Sequence, residues 1–333
     1  MEIVNTCVLK IKQINWIILP FDQVAFRLLS LYRKYKINMD FFIKTYTQVC
    51  FKISKWLLRP PTERSVDYLV YEDWRVDTLA KSWAAFSDTH IMGKDVLDFG
   101  CGNGPLTFFL AKEKQPRHVL GVDIDIPSID RAKEILSQIQ LADDVDVEFK
   151  YGSTNQLPVH DQSFDTLLAF DCLEHIMEPK TIFREWYRAL RPGGRCLIDW
   201  SPYKGPWGPH MNVLIPIPWA HFIFGERVML QAAEKIYDLP DFIPRHWDLD
   251  EAGNKKPNKW RDLSSFEEQG YINKLDIPAF QALASEAGFQ ISRLEKHSFN
   301  GVPMKKMLGH LLMKMPIIGE YFVSYVYIEL LRP

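Results

Sequence analysis

The chain has few cysteines, and they follow no recognisable spacing. Its 333 residues contain five, and no two of them form a C-x-x-C pair: Cys7, Cys50, Cys101, Cys172 and Cys196. A scattered, odd set in a long chain argues against a disulfide framework or a zinc site and favours a reducing compartment. The first residues also lack the layout of a secretory signal. We therefore expect a cytoplasmic protein without a metal site.

Two further absences narrow the class of protein. No uninterrupted apolar run reaches the roughly 18 residues that a membrane-spanning helix requires. There is no excess of positive charge either, since the net charge is −2 with 47% hydrophobic and 25% charged residues. This balance is typical of a globular protein, and the central region shows no basic groove, which argues against a nucleic-acid partner.

Positive charge is instead concentrated near the start of the chain. Residues 1–60 contain ten Lys or Arg and three Asp or Glu, a local charge of +7, so the rest carries −9 to give the total of −2. Within 21–36, apolar side chains recur at helical spacing and charged ones fall on the opposite face. We expect 1–61 to be a basic amphipathic helical extension that can make peripheral contact with an anionic membrane.

Residues 302–323 hold a second group of apolar positions, among them Met304, Met307, Leu311 and Ile317. Such a segment can cover a sheet, form a dimer contact or add to a membrane-facing surface. The sequence leaves these alternatives open.

Strands and helices alternate through the central region, 62–201. Short apolar runs predict buried parallel strands at 96–99, 119–122, 147–151, 166–170 and 195–200. Helical stripes run between them over 129–139, with Ser128 as the expected N-cap, and over 182–190. This alternation predicts βαβ units, and hence an α/β fold with a doubly wound, mostly parallel sheet.

The rest of the chain divides into two parts. Residues 202–275 are rich in proline and aromatic residues. Because a structureless loop of that length is uncommon in a compact domain, we expect short helices that form a cap or an acceptor-binding insertion. Residues 276–333 then supply a helix at 277–287 and strands at 289–294 and 321–331, which complete the core.

The most informative segment is a glycine-rich turn directly after the first predicted strand. It contains Gly100, Gly102 and Gly104, and Asp98 precedes it on the strand. Glycines allow a tight turn and let a ligand approach the backbone closely, and the helix that follows offers free N–H groups. The next strand ends in Asp123, whose carboxylate can accept hydrogen bonds from both hydroxyls of a ribose. The sequence thus predicts a nucleoside-binding site.

The same pattern is compatible with two other kinds of turn. Nicotinamide and flavin enzymes use similar glycine-rich turns, and such a turn can also be purely structural. Asp98 separates the alternatives, because a carboxylate beside the turn repels a pyrophosphate but suits a cationic ligand. No G-x-x-x-x-G-K-[ST] phosphate loop is present either. S-adenosylmethionine (SAM), which carries an ammonium and a sulfonium group, fits best.

Four segments resemble the successive motifs of class I SAM-dependent methyltransferases: 96–111, 121–133, 152–158 and 163–176. The run "SFD…LEHI…LRPGG", from Ser163 to Gly194, is most similar to the branch that includes quinone-biosynthesis enzymes. The resemblance covers about 95–201 and, more loosely, 276–331. It implies a seven-stranded sheet whose last strand is antiparallel, with SAM lying across the carboxyl ends of the first, second and fourth strands.

The resemblance also implies roles for particular residues. Asp98 and the turn from Gly100 through Cys101 to Gly102 would hold the methionine part of SAM, Asp123 would hold the ribose, and Ile124 would pack on the adenine. The family's acidic adenine contact is replaced by Ser153, so Ser153 or Thr154 would supply a weaker one. At the end of the fourth strand, Phe170 and Asp171 would line the pocket near the reacting methyl group.

Histidines near this end of the sheet are candidates for a general base. His175, in the Leu-Glu-His run after the fourth strand, is the leading candidate. His210 and His221, both in the segment after the fifth strand, are the second candidates. Each histidine can instead serve only to hold its loop. Aromatic residues such as Tyr203 and Trp207 can form either an acceptor pocket or the interior of a cap.

The sequence therefore favours a SAM-dependent methyltransferase that acts on a small-molecule or a lipid- or glycan-linked acceptor, with oxygen as the expected target. Two alternatives stay open at this point. One is a SAM-fold protein that binds the cofactor and regulates a partner without catalysis, and the other is a nicotinamide-dependent oxidoreductase. Neither the acceptor nor the oligomeric state follows from the sequence.

Overall fold

The computed structural model describes residues 39–63, 67–142, 145–250, 252–299 and 303–333. The amphipathic helix expected over 21–36 lies outside the described residues. Within the described ranges, no helix has both the length and the apolar character needed to cross a bilayer.

Seven strands form one sheet. They are β1 (Asp95–Phe99), β2 (His118–Asp123), β3 (Asp146–Tyr151), β4 (Phe164–Phe170), β5 (Leu190–Trp200), β6 (Gln290–His297) and β7 (Tyr325–Leu331). Their order across the sheet is β3-β2-β1-β4-β5-β7-β6. Strands β1 to β5 pair in parallel, and β7 runs antiparallel to both β5 and β6. The predicted fold class and the antiparallel last strand are confirmed.

Ten helices accompany the sheet in the described parts of the chain. They are α1 (Met39–Leu57), α2 (Tyr68–Trp83), α3 (Pro105–Glu113), α4 (Ile126–Gln138), α5 (Pro179–Ala189), α6 (Ala220–Ile223), α7 (Glu226–Tyr237), α8 (Phe266–Gln269), α9 (Ile277–Ala287) and α10 (Pro303–Met313). Short 3₁₀ turns occur at Asp88–His90, Leu173–His175, His246–Asp248 and Gly319–Phe322. The expected helix at 277–287 and the short helices within 202–275 are both present.

Two predicted boundaries were wrong. Helix α4 begins at Ile126, and its N-cap is Asp125, whose carboxylate accepts hydrogen bonds from the Ser128 amide at 3.0 Å and hydroxyl at 2.6 Å. Ser128 therefore lies inside the first turn, because Asp125 caps the helix three residues earlier. The last strand begins at Tyr325 and not at 321, since the 3₁₀ turn Gly319–Phe322 comes first.

The main hydrophobic core lies on one face of the sheet, under α5 and α9. Trp186 and Phe183 of α5 are fully buried, and Phe280 of α9 packs against Phe183 and Trp200 with ring centroids 5.3 Å apart in each case. The apolar stripe that predicts α5 is thus the face that covers the sheet.

Residues 202–275 build a separate hydrophobic cluster beside this core. It contains Met211, Ile215, Phe266 and most of the apolar face of α7, and α1 adds Cys50 to it. Thr47 of α1 also donates a hydrogen bond to the Gln231 side chain of α7 at 2.9 Å. The division into a core, a cap at 202–275 and an N-terminal extension stays a prediction, but α1 packs against the cap residues and not against the sheet core.

We predict that Trp186→Ala lowers the free energy of unfolding by about 3–5 kcal/mol, because it removes a fully buried indole and leaves a cavity. Trp56, on α1, is 82% exposed, so Trp56→Ala is the matched control and should change stability by less than about 0.5 kcal/mol. Urea denaturation of both variants measures the difference. Equal losses in the two variants would contradict this assignment of the core.

Candidate cofactor and acceptor site

The glycine-rich turn joins β1 to α3 at the carboxyl end of the sheet. Gly100, Gly102 and Gly104 all adopt left-handed backbone angles, with φ of 71°, 55° and 88°. A Cβ added at Gly100 would lie 2.7 Å from Cys172, whereas one at Gly102 would meet nothing within 4 Å. The turn is therefore tightly packed on its inner side and open on the side that can face a ligand.

Asp98 stands directly beneath this turn and is only 2% exposed. The Thr107 hydroxyl donates a hydrogen bond to Asp98 Oδ2 at 2.6 Å. Burial raises the pKa of Asp98 to about 7, and the negative charge of Asp123 adds to the rise while the Thr107 bond opposes it. A carboxyl group in this setting gains most from a cation placed beside it.

Asp123 ends β2 and holds the turn from the other side. Its Oδ2 accepts a hydrogen bond from the Gly102 amide at 2.8 Å, and its Oδ1 accepts one from the Asp125 amide at 2.9 Å. Each carboxylate oxygen has a second lone pair. Asp123 can therefore fix the turn and still accept hydrogen bonds from a ribose diol.

The residues expected at the adenine lie next to Asp123. The Gly152 amide donates to the Asp123 carbonyl at 2.9 Å, which sets Ser153 and Thr154 beside the end of β2. Ile124 is 60% exposed and so presents a free apolar side chain. The Ser153 hydroxyl bonds within its own turn, donating to the Gln156 carbonyl and accepting from the Gln156 amide, both at 3.0 Å. Ser153 thus shapes the loop with its side chain.

The side chains of Cys101 and Phe170 are both buried. Cys101 packs in the hydrophobic cluster with Phe108 and Phe149, and its thiol donates to the Gly102 carbonyl at 3.4 Å. Phe170 packs against Trp83 and Phe86 in the core. The expectation that its ring lines the pocket is corrected, because the ring lies on the core side of β4.

These features together fit SAM. Asp98 offers a buried anion for an ammonium group, the open face of Gly102 allows close approach, and Asp123 and Ile124 suit a ribose and an adenine. A pyrophosphate would meet two carboxylates here, which disfavours a dinucleotide.

A polar cluster lies beyond the end of β4, and Asp171 begins it. Asp171 adopts a left-handed φ of 52° and pairs with Arg75 of α2, with Nη1 2.6 Å from Oδ2. Burial opposes ionisation, but the charge of Arg75 and its hydrogen bond outweigh it and lower the pKa of Asp171. The pair is therefore ionised, and Arg75 is already neutralised.

Glu174 is the most buried member of this cluster. It is 3% exposed, and neither carboxylate oxygen receives a hydrogen bond from any described residue. Burial, followed by the negative charge of Asp171, raises the pKa of Glu174 well above its usual value. His210 Nε2 lies 3.4 Å from Glu174 Oε1, and burial lowers the pKa of His210.

His175 is held by the segment that follows α8. Its Nδ1 lies 2.8 Å from the Tyr271 carbonyl, and its ring stacks on the Tyr271 ring at 3.8 Å. A carbonyl can only accept, so Nδ1 carries the proton and Nε2 keeps its lone pair. Burial, with the neighbouring His210 adding to it, lowers the pKa of His175 to about 4. Asn273 steadies the turn by donating its side-chain amide to the Leu173 and Ile176 carbonyls.

Three side chains of this cluster are spaced as metal ligands are, although the sequence predicted no metal site. Glu174, His175 and His210 each offer one ligand atom, and these atoms lie within 4.8 Å of one another. Nitrogen and oxygen donors at this spacing could hold a divalent ion after a small contraction. The sequence concealed the group because His210 lies 35 positions beyond His175.

The comparisons with known proteins agree with this geometry. Residues 92–213 match the sequence model of a family described as a methyltransferase domain. This match agrees with the resemblance of these residues to class I SAM-dependent methyltransferases, for which the cofactor is SAM. The matched range contains the glycine-rich turn, Asp123 and the polar cluster as far as His210.

Several known methyltransferases are similar to part of the chain. A demethylmenaquinone methyltransferase from Lactiplantibacillus plantarum is 32% identical over 154 residues, which cover 44% of this chain and 62% of that protein. Phosphoethanolamine N-methyltransferase 1 from Arabidopsis thaliana is 38% identical over 107 residues, covering 32% of this chain and 21% of that one. The chain thus spans less than two thirds of either relative.

A solved SAM-dependent methyltransferase from Mesorhizobium loti is 15% identical, with a TM-score of 0.45. The superposition covers 78% of this chain and 98% of that one.

Sequence reasoning missed the contribution of α2 to the methyltransferase domain. Tyr68 accepts a hydrogen bond from the Asn103 side chain at 2.6 Å, and Arg75, two turns further along the same face of α2, reaches Asp171. A helical spacing could have identified this face from the sequence, because it recurs at Tyr68, at Tyr71 or Glu72, and at Arg75. Tyr271 was missed because it lies 96 positions from His175 and contacts it only in the folded chain.

We predict that SAM affinity falls as the pH drops through the pKa of Asp98, about 7. Below that pH the free carboxyl is protonated, and binding of the ammonium group must expel the proton, so affinity should fall by up to about tenfold per pH unit. Calorimetry in buffers of different ionisation enthalpy should detect proton release one unit below the pKa. Asp98→Asn should remove this dependence, and a pH-dependent Asn variant would contradict the assignment.

We also predict that Asp123→Ala and Gly102→Val each weaken SAM binding tenfold or more, about 1.4 kcal/mol. The first loses the diol acceptor, and the second forces a β-branched residue into a φ of 55°. Asp146→Ala is the control, because Asp146 begins β3 at the opposite edge of the sheet. Unchanged affinity in both site variants would reject the pocket.

Proposed function

We propose that the chain transfers the methyl group of SAM to an oxygen of a small-molecule or lipid- or glycan-linked acceptor. The observation that carries this proposal is the neutral imidazole pair beside Glu174, at the same end of the sheet as the glycine-rich turn. SAM supplies an activated methyl group, and a hydroxyl acceptor must lose a proton as it attacks. A buried neutral histidine can take that proton.

His175 suits this task by its tautomer. Because Nδ1 donates to the Tyr271 carbonyl, Nε2 points its lone pair elsewhere and stays unprotonated at neutral pH. His210 lies beside it, with ring centroids 5.6 Å apart, and contacts Glu174. A proton taken by His175 would gain from the nearby carboxyl groups. Positioning of the acceptor by such a cluster is also a large source of rate enhancement.

The charge of the cluster favours an uncharged acceptor group. Arg75 is paired with Asp171, and burial with the negative charge of Asp171 raises the pKa of Glu174, so a further anion here is disfavoured. No unpaired cation is left among these residues to bind a carboxylate or a phosphate at the reacting end. A hydroxyl group fits this environment better than an anion does. The names of the relatives cover a quinone-type and an amine acceptor, so they do not choose the atom.

The alternatives predict different behaviour. A SAM-binding regulator would bind SAM through Asp98 and Asp123 and transfer no methyl group. A nicotinamide oxidoreductase would be stabilised against heat by NAD and not by SAM. Asp98 disfavours the second, because its buried carboxyl would face the pyrophosphate.

We further propose that residues 1–60 make peripheral contact with a membrane from the cytoplasmic side. In the described part of this region, α1 turns Thr47, Cys50 and Ser54 toward the protein. Ile43, Tyr46 and Phe51 pack against the cap residues, whereas five other apolar side chains are exposed: Phe41, Phe42, Val49, Ile53 and Trp56. Lysines flank that outward face, as in interfacial helices. Trp56→Asp should weaken sedimentation with anionic vesicles, and unchanged sedimentation would overturn this proposal.

We predict that His175→Ala retains SAM affinity and slows methyl transfer by about 10²–10⁴-fold. His160→Ala is the control, since His160 is exposed on the loop before β4. With SAM saturating, the wild-type rate should not fall as the pH drops through 6.5, because the pKa of His175 is about 4. Wild-type turnover in His175→Ala would remove it as the base.

The acceptor is best sought directly. Full-length protein with methyl-labelled SAM and fractionated cell extract should label one product class, and extraction separates lipid from aqueous products. Alkali-stable label bound to oxygen is the expected result. Label on nitrogen or carbon would overturn the oxygen assignment, and no label in any fraction, with intact SAM binding, would favour the regulator.

A further inference from the structure

Helix α10 presents an apolar stripe that no described residue covers. Its outward positions recur at helical spacing and continue past its end: Met304, Met307, Leu308, Leu311, Met315 and Ile317. Met307 is 70% exposed and Ile317 is 80% exposed. The opposite face packs onto the protein, where a Cβ at Gly309 would lie 2.7 Å from Ser298. The stripe therefore faces away from the domain, and monomers seldom leave such a run unoccupied.

The charges around the stripe are all of one sign. Between Pro303 and Met315 there are three lysines, Lys305, Lys306 and Lys314, and no Asp or Glu. Beside the helix lies a cleft of about 450 Å³, whose lining includes Lys296, Lys306 and His310. An apolar stripe with basic flanks matches the two layers of an anionic bilayer surface, acyl chains below and phosphates above.

The topology places this helix at the active edge of the sheet. Strand β6 runs antiparallel to β7, as β5 does, so β6 is oriented like the parallel strands. Its carboxyl end, His297, thus lies at the edge that holds the glycine-rich turn, and α10 follows it. The connection is also tied to the cap, since Trp219 Nε1 donates to the Tyr321 carbonyl at 2.8 Å.

Ile317 adds a separate observation. It is a β-branched residue with a φ of 68°, a conformation that costs such residues free energy. Its side chain is exposed, so no packing within the described residues accounts for an isoleucine here. A glycine would adopt this backbone conformation at a lower cost in free energy, but it would lack the exposed apolar side chain.

We propose that α10 and the segment through Ile317 dock on an anionic membrane surface, with lipid phosphates at Lys306 and Lys296 and acyl chains along Met307 and Leu311. A second copy is a poorer occupant, because a symmetric contact would set the lysines of one helix against those of the other. This surface is distinct from residues 1–60 and does not require the proposed methyl transfer to occur.

Vesicle flotation of the full chain tests the proposal, using phosphatidylcholine alone or in equal parts with phosphatidylglycerol. We expect binding to the anionic vesicles only, and weaker binding as salt is added. The double variant Met307→Asp and Leu311→Asp should lower the partition coefficient at least about tenfold. The double variant Lys305→Glu and Lys306→Glu should lower the partition coefficient further and make vesicle binding less dependent on salt.

Two controls separate docking from misfolding. Met92→Asp alters an equally apolar side chain, 58% exposed, at the opposite edge before β1, and should bind vesicles as the wild type does. Ile317→Gly should bind vesicles more weakly while melting at a higher temperature, a combination that damage to the fold cannot give. SAM calorimetry confirms an intact domain in every variant, whether or not methyl transfer is detected.

Three outcomes would overturn the proposal. One is unchanged flotation of both double variants with an intact domain. Another is equal binding to neutral and anionic vesicles. The third is a wild-type dimer in light scattering that Met307→Asp converts to monomer, since a second copy would then be the occupant.

Discussion

The site depends on one burial that is only partly compensated, that of the Asp98 carboxyl beneath the glycine-rich turn. Its only hydrogen-bond donor among the described side chains is the Thr107 hydroxyl, and Asp123 adds a second negative charge nearby. Burying such a group costs free energy in the absence of a ligand. A bound ammonium group recovers that cost, so the same feature that destabilises the empty pocket selects a cationic nucleoside. The tight packing of Gly100 on Cys172 keeps the turn from closing over the carboxyl.

The acceptor side is built differently, from segments far apart in the chain. Arg75 comes from α2, His175 follows β4, and His210 and Tyr271 come from the region after β5. The carboxyl ends of neighbouring parallel strands meet at one edge, which is why these segments converge there. The candidate cofactor site uses local geometry within two βα units, whereas the proposed proton transfer requires residues 202–275 to be folded against the sheet. The two activities can therefore be lost separately.

This difference explains what could be predicted from the sequence. The strands, the turn and Asp123 follow from patterns within about thirty residues, which local periodicity and turn chemistry report. Tyr271 depends on a long-range contact that leaves no local pattern, and for Arg75 the helical spacing indicates a face of α2 but not its partner Asp171. The error at Phe170 has a simpler cause: Phe170 is the last residue of β4 and its ring packs into the core, whereas Asp171 lies beyond the strand with a left-handed backbone that the sequence does not reveal. At α4, Ser128 is a good cap residue by type, but Asp125 is equally good, and the backbone geometry makes Asp125 the cap.

Helices α1 and α10 show how the site can be supplied with an acceptor. Both helices leave large apolar side chains exposed. Helix α1 packs against the cap, which follows the carboxyl end of β5, and α10 follows the carboxyl end of β6. An acceptor held in a bilayer is confined to a thin layer, so an enzyme docked on that layer meets it at a high effective concentration. Under the proposed docking, the polar cluster would need only to orient a hydroxyl group, because the membrane would already concentrate the acceptor. Under this arrangement the membrane-facing surface and the pocket would each contribute part of the selectivity for the acceptor, so neither would need to bind it strongly.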